Sequence, residues 1–270
     1  MSAQAGTIPT AALPAPRGLP LHERRAVVFA AQSLFIFSIF AIWEAISGPV
    51  ISPFFIGSPI EIAGVLKKWL ANGFAWKHVS YTLASSVLGF LLGSAAAIAV
   101  GLALGLSRHL YAVFDPFLSA FYAIPKIALA PLLVIWFGLD LTPKVVLAAS
   151  IVFFLVFNAT IAGFRNVDAE LLDQVAVMGG TRRHAMLKVI LPSVALRILD
   201  GLRIAFPYAL HGAIVGEIIA SRSGVGYLLE FSRGRYDMNM MYASLILLMV
   251  VAVAIVAVLD ALERYIPKPE

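Results

Sequence analysis

Residues 165–203 read RNVDAELLDQVAVMGGTRRHAMLKVILPSVALRILDGLR and lie between long apolar runs. Ten of the chain's 20 Lys+Arg and 15 Asp+Glu are gathered here: Arg165, Asp168, Glu170, Asp173, Arg182, Arg183, Lys188, Arg197, Asp200 and Arg203. Charges at that density are too costly for a hydrocarbon core, so the stretch lies outside it. Its pattern is that of a built surface. Asp168 is placed to cap a first short helix, with Glu170 in the favoured first turn. Leu171, Val175 and Met178 fall on one face of that helix. Gly179-Gly180 supplies the left-handed residue that ends it. Thr181 then caps a second helix, whose apolar Met186, Val189 and Ile190 run until Pro192 stops it. Arg182 and Arg183 sit in the first turn of this second helix, where the dipole disfavours cations. Two explanations stand open: membrane topology, or a lipid phosphate or acidic partner outside the helix.

Outward from the island the chain is greasy. Its 270 residues are 61% hydrophobic and only 13% charged, with a mean hydropathy of +0.92. Soluble domains carry about 25% charged residues, so this is an integral membrane protein. The net charge of +5 then belongs to helix ends and membrane orientation, not to nucleic acid. The absence of cysteine excludes disulfides, thiolate metal sites and thiol catalysis. There is no GxxxxGK[ST], HExxH or GxSxG sequence, so no enzyme and no metal centre is read here. Any ATP used must be bound by another chain.

Residues 1–25, with prolines at 9, 14, 16 and 20, read as a disordered tail. Arg24 and Arg25 precede a first span over 26–46. That run is too long for a signal peptide, and no cleavage site follows it. Residues 47–74 form an outer segment, in which Ser58-Pro59 opens an amphipathic interfacial helix with Ile60, Ala63, Val65, Leu66 and Trp69 on its apolar side. Further spans are expected at about 83–106, 117–139, 145–164, 204–221 and 240–259, six in all, with a tail over 263–270. The 83–106 span carries Gly89, Gly93, Ala97, Gly101 and Gly105 at every fourth position. This stripe permits close helix approach, within the chain or against a second copy. The 117–139 span holds Pro125, Lys126 and Pro131, tolerable only where protein or a wet cavity satisfies the freed carbonyls. Residues 222–238 read as a glycine-rich polar loop. With the N-terminus inside, eleven Lys and Arg fall on the cytoplasmic side and seven outside. That bias puts both termini and the island in the cytoplasm.

The island's spacing resembles the EAA loop of ABC importer permeases, which runs Glu-Ala-Ala, three residues, Gly, nine residues, Ile, one residue, Leu-Pro. Gly179, Leu191 and Pro192 match, Val189 stands for the Ile, and Asp173-Gln174-Val175 replaces Glu-Ala-Ala. YAIPKIALAPLLVIWFG (122–138), FFLVFNATIAGFRNVD (153–168), GLRIAFPYALHGAIVGEIIAS (201–221) and SGVGYLL (223–229) resemble the nitrate/sulfonate/taurine branch of these permeases. The likeness covers roughly 75–262. It implies an all-α permease of the bacterial inner membrane that works as a homodimer. Two cytoplasmic ATPase subunits carrying ATP and Mg, and a periplasmic solute-binding protein, would complete the transporter. It also makes the island a coupling helix, with Asp173, Ala176, Met178, Gly179, Gly180, Thr181, Arg182, Arg183, Leu191 and Pro192 at the ATPase. The solute implied is small, an anion such as a sulfonate, nitrate or taurine.

Intramembrane polar residues are candidates for the pathway or its gate. They are Lys126, Asn158, His211 and Glu217. Lys126 and His211 suit an anion; Glu217 is either a gate or a packing residue, bonded to Arg222 or to a second copy. A second function fits the same residues: a proton-coupled secondary transporter using Glu217 and His211. It requires inverted repeats, which the sequence does not display. A membrane-embedded enzyme requires clustered polar groups, and these are scattered singly.

Overall fold

The computed structural model describes residues 21–263; the tails at 1–20 and 264–270 lie outside the described residues. Every described element is helical. In chain order these are α1 (Leu21–Ile46), α2 (Pro53–Ile56), α3 (Pro59–Ala71), α4 (Phe74–Gly105), α5 (Arg108–Ala123), a 3-10 turn (Lys126–Leu129), α6 (Ala130–Phe137), α7 (Leu141–Arg165), α8 (Ala169–Val177), α9 (Arg182–Ala185), a π-turn (Met186–Ile190), α10 (Leu191–Ile219), α11 (Val225–Gly234) and α12 (Met238–Glu263).

Among the described residues four helices are long and apolar enough to cross a membrane: Val27–Ile46, Phe74–Gly105, Leu141–Arg165 and Met238–Leu259. The expected 117–139 span is not one helix. It is α5 and the 3-10/α6 pair, bent by 80°. Pro125 has no N–H and forces the preceding residue into extended backbone, so Ile124 sits at ψ 126° and the ladder breaks there. The expected 204–221 span falls mainly on the C-terminal part of the 29-residue α10, which ends at Ile219 and also holds Arg197, Asp200 and Arg203. The glycine-rich loop over 222–238 contains α11, with Val225, Gly226, Leu228 and Ser232 buried.

The core is α7 held between α4 and α10. Buried Val152, Val156, Phe157 and Ile161 of α7 meet Ala97 and Leu104 of α4 and Ala205 and Ala209 of α10. Small residues make this possible. A Cβ at Gly89 would lie 2.5 Å from Ala148 Cβ, one at Gly93 2.5 Å from the Ala149 carbonyl, one at Gly101 2.7 Å from Thr160 Cγ2 and one at Gly105 2.2 Å from Phe164 Cδ2. Ala97 is fully buried in the same seam. The stripe therefore packs within the chain, against α7. From α10, Gly201 abuts Ala159 and Gly212 abuts the Ala148 backbone.

The α4 helix starts at Phe74, nine residues before the expected Leu83, because its polar residues turn inward and are bonded there. A second cluster joins α12, α3 and α11: Ile62, Trp69, Val225, Leu228, Ala243 and Leu247. In α3 the buried residues are Ile62 and Trp69, whereas Ile60 is 70% exposed, so its apolar side faces α12 and α4. Helix α1 is exposed over most of 27–46. Its C-terminal end is tied down: Glu44 accepts from Ser58 Oγ (3.0 Å) and Ile60 N (3.1 Å), and Trp43 Nε1 donates to the Ile56 carbonyl (3.2 Å).

Close packing sets a direct test. Gly93→Val should destabilise the folded chain by about 1–3 kcal/mol through overpacking. Gly64→Val, at a site with open space around it, should leave the thermal midpoint in detergent unchanged.

Candidate functional site

The island folds into a compact knob. Asp168 Oδ1 accepts from Glu170 N (2.9 Å) and starts α8. At its other end Gly180 N donates to the Val175 carbonyl (2.8 Å) and Gly179 N to the Ala176 carbonyl (3.0 Å), a Schellman closure. The two glycines are needed for different reasons. Gly179 has φ +73°, and a Cβ at Gly180 would lie 2.7 Å from the Val175 carbonyl oxygen. Thr181 then caps α9 reciprocally: its Oγ1 accepts from His184 N (3.4 Å), and its N–H donates to His184 Nδ1 (3.1 Å). A histidine here fills the position that Glu or Gln usually takes.

Pro192 does not stop the second helix. The chain continues as helix from α9 through the π-turn into α10, with Leu191 N bonded to the Met186 carbonyl five residues back. Proline has no N–H for an i−4 bond and its ring crowds that carbonyl. The widened turn accommodates both. The knob is consequently the near end of α10 itself. Around its tip Asp173, Ala176, Arg182 and Arg183 are exposed, and so are Val177 (88%) and Met178 (86%). Two adjacent apolar side chains in that state form a contact surface framed by charge.

Lys126 sits at the α5/α6 break. Its Nζ donates to the carbonyls of Tyr122 (3.1 Å) and Ile124 (2.9 Å), and lies 4.4 Å from the centroid of the Phe154 ring. An ammonium thus closes the open carbonyl end of α5, where the helix dipole favours it. Asn158, one turn along α7 from Phe154, is exposed on the same face. His211 is exposed on α10, against the Tyr208 ring at 5.8 Å. These three lie on open surfaces of the single chain.

Glu217 is elsewhere. It is 1% exposed and turned toward α4 and α11. Its Oε2 accepts from Thr82 Oγ1 (2.9 Å) and Gly226 N (2.9 Å), and Ser85 Oγ lies 3.5 Å from Oε1. The partner expected from the sequence, Arg222, is not among these. Nor is His211 among the hydrogen-bond partners of Glu217.

Sequence reasoning missed three groups. His78 and Thr82 are buried at the start of α4. Their signal was the helical spacing of His78, Thr82, Ser85 and Ser86, hidden by starting the span at Leu83. Lys144, which falls between the expected spans 117–139 and 145–164, is fully buried, its Nζ donating to the carbonyls of Leu139 (2.6 Å) and Asp140 (2.8 Å).

Comparison with known proteins places this geometry. Residues 89–268 match the family described as "Binding-protein-dependent transport system inner membrane component". The chain is 33% identical over 231 residues to the putative aliphatic sulfonates transport permease protein of Bacillus subtilis, covering 85% of this chain and 84% of that one. It is 32% identical to the riboflavin transport system permease protein of Chloroflexus aurantiacus (80% and 81% covered) and 28% identical to the taurine transport system permease protein of Escherichia coli (82% and 82%). In fold it is similar to a chain of an amino acid ABC transporter, at TM-score 0.60 and 20% identity, covering 74% of this chain and 98% of that one. A chain of an inward-facing methionine ABC transporter gives 0.54 at 22% identity, covering 74% and 97%.

The two lysines should separate by burial. Lys144→Met leaves two carbonyls unsatisfied in packed protein and should cost about 1–3 kcal/mol per group. Lys126→Met, at a more open site, should lower the thermal midpoint less.

Proposed function

This chain belongs to the family of binding-protein-dependent transport system inner membrane components, and on that premise we propose how it works within an ABC importer. As a multi-pass permease it has no catalytic task. Two copies pair to enclose a pathway, each contributing six spans with both termini in the cytoplasm. A periplasmic binding protein delivers the solute. Cytoplasmic ATPase subunits, holding ATP and Mg, receive the knob at 165–203 in a groove.

The observation that carries this reading is the construction of the knob. It is capped at each helix start, closed by Gly179-Gly180 and continuous with α10. A rigid body can transmit a push; a loose loop cannot. Closing of the ATPases would move the knobs and tilt the bundles between inward and outward openings. Asp173, Ala176, Val177, Met178, Thr181, Arg182 and Arg183 form the docking surface. Gly179, Gly180, Leu191 and Pro192 set its shape.

The solute is small, and the sulfonate and taurine relatives support an anion of the sulfonate, nitrate or taurine type. Lys126, Asn158 and His211 are the polar groups that face the pathway in the paired state. Lys126 adds positive potential there while its ammonium closes α5. Glu217, turned away from this face, lies behind it.

Gly179→Val tests the knob, because a β-branched residue is strained at φ +73°. In proteoliposomes containing the assembled complex it should abolish the stimulation of ATP hydrolysis by loaded binding protein, with the chain still inserted. Undiminished stimulation would refute the coupling role. For the pathway, Lys126→Cys in this cysteine-free chain should react with a water-soluble thiol reagent in at least one nucleotide state. Complete protection in every state would place position 126 outside the pathway.

A further inference from the structure

Glu217 sits at the end of α10 remote from the knob, beneath the N-terminus of α11. An α-helix leaves its first N–H groups without internal partners. In α11 two of these are taken by groups from other helices: Val225 N donates to Thr82 Oγ1 (2.9 Å) and Gly226 N to Glu217 Oε2 (2.9 Å). Thr82 Oγ1 in turn donates to the same Oε2 (2.9 Å). One turn back along α4, His78 Nδ1 lies within hydrogen-bond distance of Gly224 N (3.2 Å) and of the Gly224 carbonyl (3.1 Å). Three helices therefore meet at one carboxylate oxygen. The glycines of Ser223-Gly224-Val225-Gly226 are required by this meeting. A Cβ at Gly224, whose φ is +110°, would lie 2.1 Å from Glu217 Cδ, and one at Gly226 would lie 2.7 Å from the Ile214 carbonyl and 2.9 Å from Glu217 Cβ.

We propose that Glu217 is a positioning residue of the transporter: by hydrogen bonding, not by its charge, it locks α11 onto α4 and α10. A displacement applied to α10 at the knob is then carried into α11 at the opposite end. The helical path from Leu191 to Glu217, which passes Pro207, is about 39 Å at 1.5 Å per residue. The transmission half of this inference rests on the permease reading above; the lock itself does not.

The geometry makes a specific demand. Both strong bonds fall on Oε2, and only Ser85 Oγ is near Oε1. A glutamine can place its one carbonyl oxygen where Oε2 lies and offer its NH₂ to Ser85 Oγ, an acceptor. An alanine strands Gly226 N in a buried site and leaves Thr82 Oγ1 only the His78 carbonyl (3.2 Å) to donate to. Accordingly Glu217→Gln should preserve the lock and Glu217→Ala should break it.

The experiment is hydrogen exchange of the backbone amides of 224–228 in the purified, full-length chain, with α7 amides as internal reference. Glu217→Ala should accelerate exchange of that segment about tenfold or more, the loss of one buried hydrogen bond with its partner left unpaired. Glu217→Gln should exchange as wild type does. Thr82→Val should follow Ala, and Thr82→Ser should follow wild type; this pair carries the test if Glu217→Ala does not fold. In the assembled complex, the ratio of binding-protein-stimulated to basal ATP hydrolysis should fall for Glu217→Ala and hold for Glu217→Gln. Unchanged exchange in Glu217→Ala and Thr82→Val would overturn the lock. A Glu217→Gln chain as impaired as Glu217→Ala would overturn hydrogen bonding as its basis and assign the role to the charge. Faster exchange with undiminished stimulation would overturn the transmission. Absence of any stimulation in wild type would instead count against the permease reading, leaving the exchange result to judge the lock.

Discussion

A bilayer core supplies no water to a backbone group that lacks a partner, and three helix interruptions among the described residues are answered by a side chain of the matching sign. At the α5 break the carbonyl end is closed by Lys126. At the turn between α6 and α7 the carbonyls of Leu139 and Asp140 are closed by Lys144. At the start of α11 the N–H end is closed by Glu217, through Gly226. Cations stand at C-termini and the carboxylate at an N-terminus, as the helix dipole favours. The few charges within the apolar part of the chain are mostly accounted for by this constraint. Where Pro192 removes an N–H, the helix widens instead of breaking.

These closures let the chain hold sharp bends next to straight, tightly packed rods. Helix α7 is packed against the glycine stripe of α4 and against Gly201 and Gly212 of α10. Such a seam has little room to slide, because each glycine site is filled by a neighbouring backbone, methyl group or, at Gly105, the Phe164 ring. By contrast α1, α5 and the tip of the knob expose large apolar side chains in the single chain. Rigid core and open flanks together suit a subunit whose remaining surfaces are completed by partners.

The sequence made much of this legible. Composition fixed the class. Asp168, Thr181 and Gly179-Gly180 announced the internal plan of the knob, because caps and left-handed turns are local features. The glycine period showed a close seam and left its partner open, which only tertiary structure identifies as α7. Three readings failed for non-local reasons. Pro192 seemed to end a helix because a proline's effect depends on whether the turn before it can widen. The 222–238 stretch read as loop because α11 is stabilised by burial against α4, α10 and α12, not by its own propensity. Glu217 was read as bonded to Arg222 or to a second copy, whereas its partner Thr82 lies 135 residues away in the same chain; that contact left only a weak trace, the helical spacing of polar residues in α4.

The central claim is that knob and α10 form one rod, so that what moves the knob moves the far end of the helix. The direct test is the distance between spin labels at Met178→Cys and Ile219→Cys, both at exposed positions of a chain without native cysteines, in the assembled transporter. The account requires a single narrow distance, the same in nucleotide-free and ATP-bound states. A second distance, or broadening on ATP binding, would mean that the knob flexes against α10 and would contradict it.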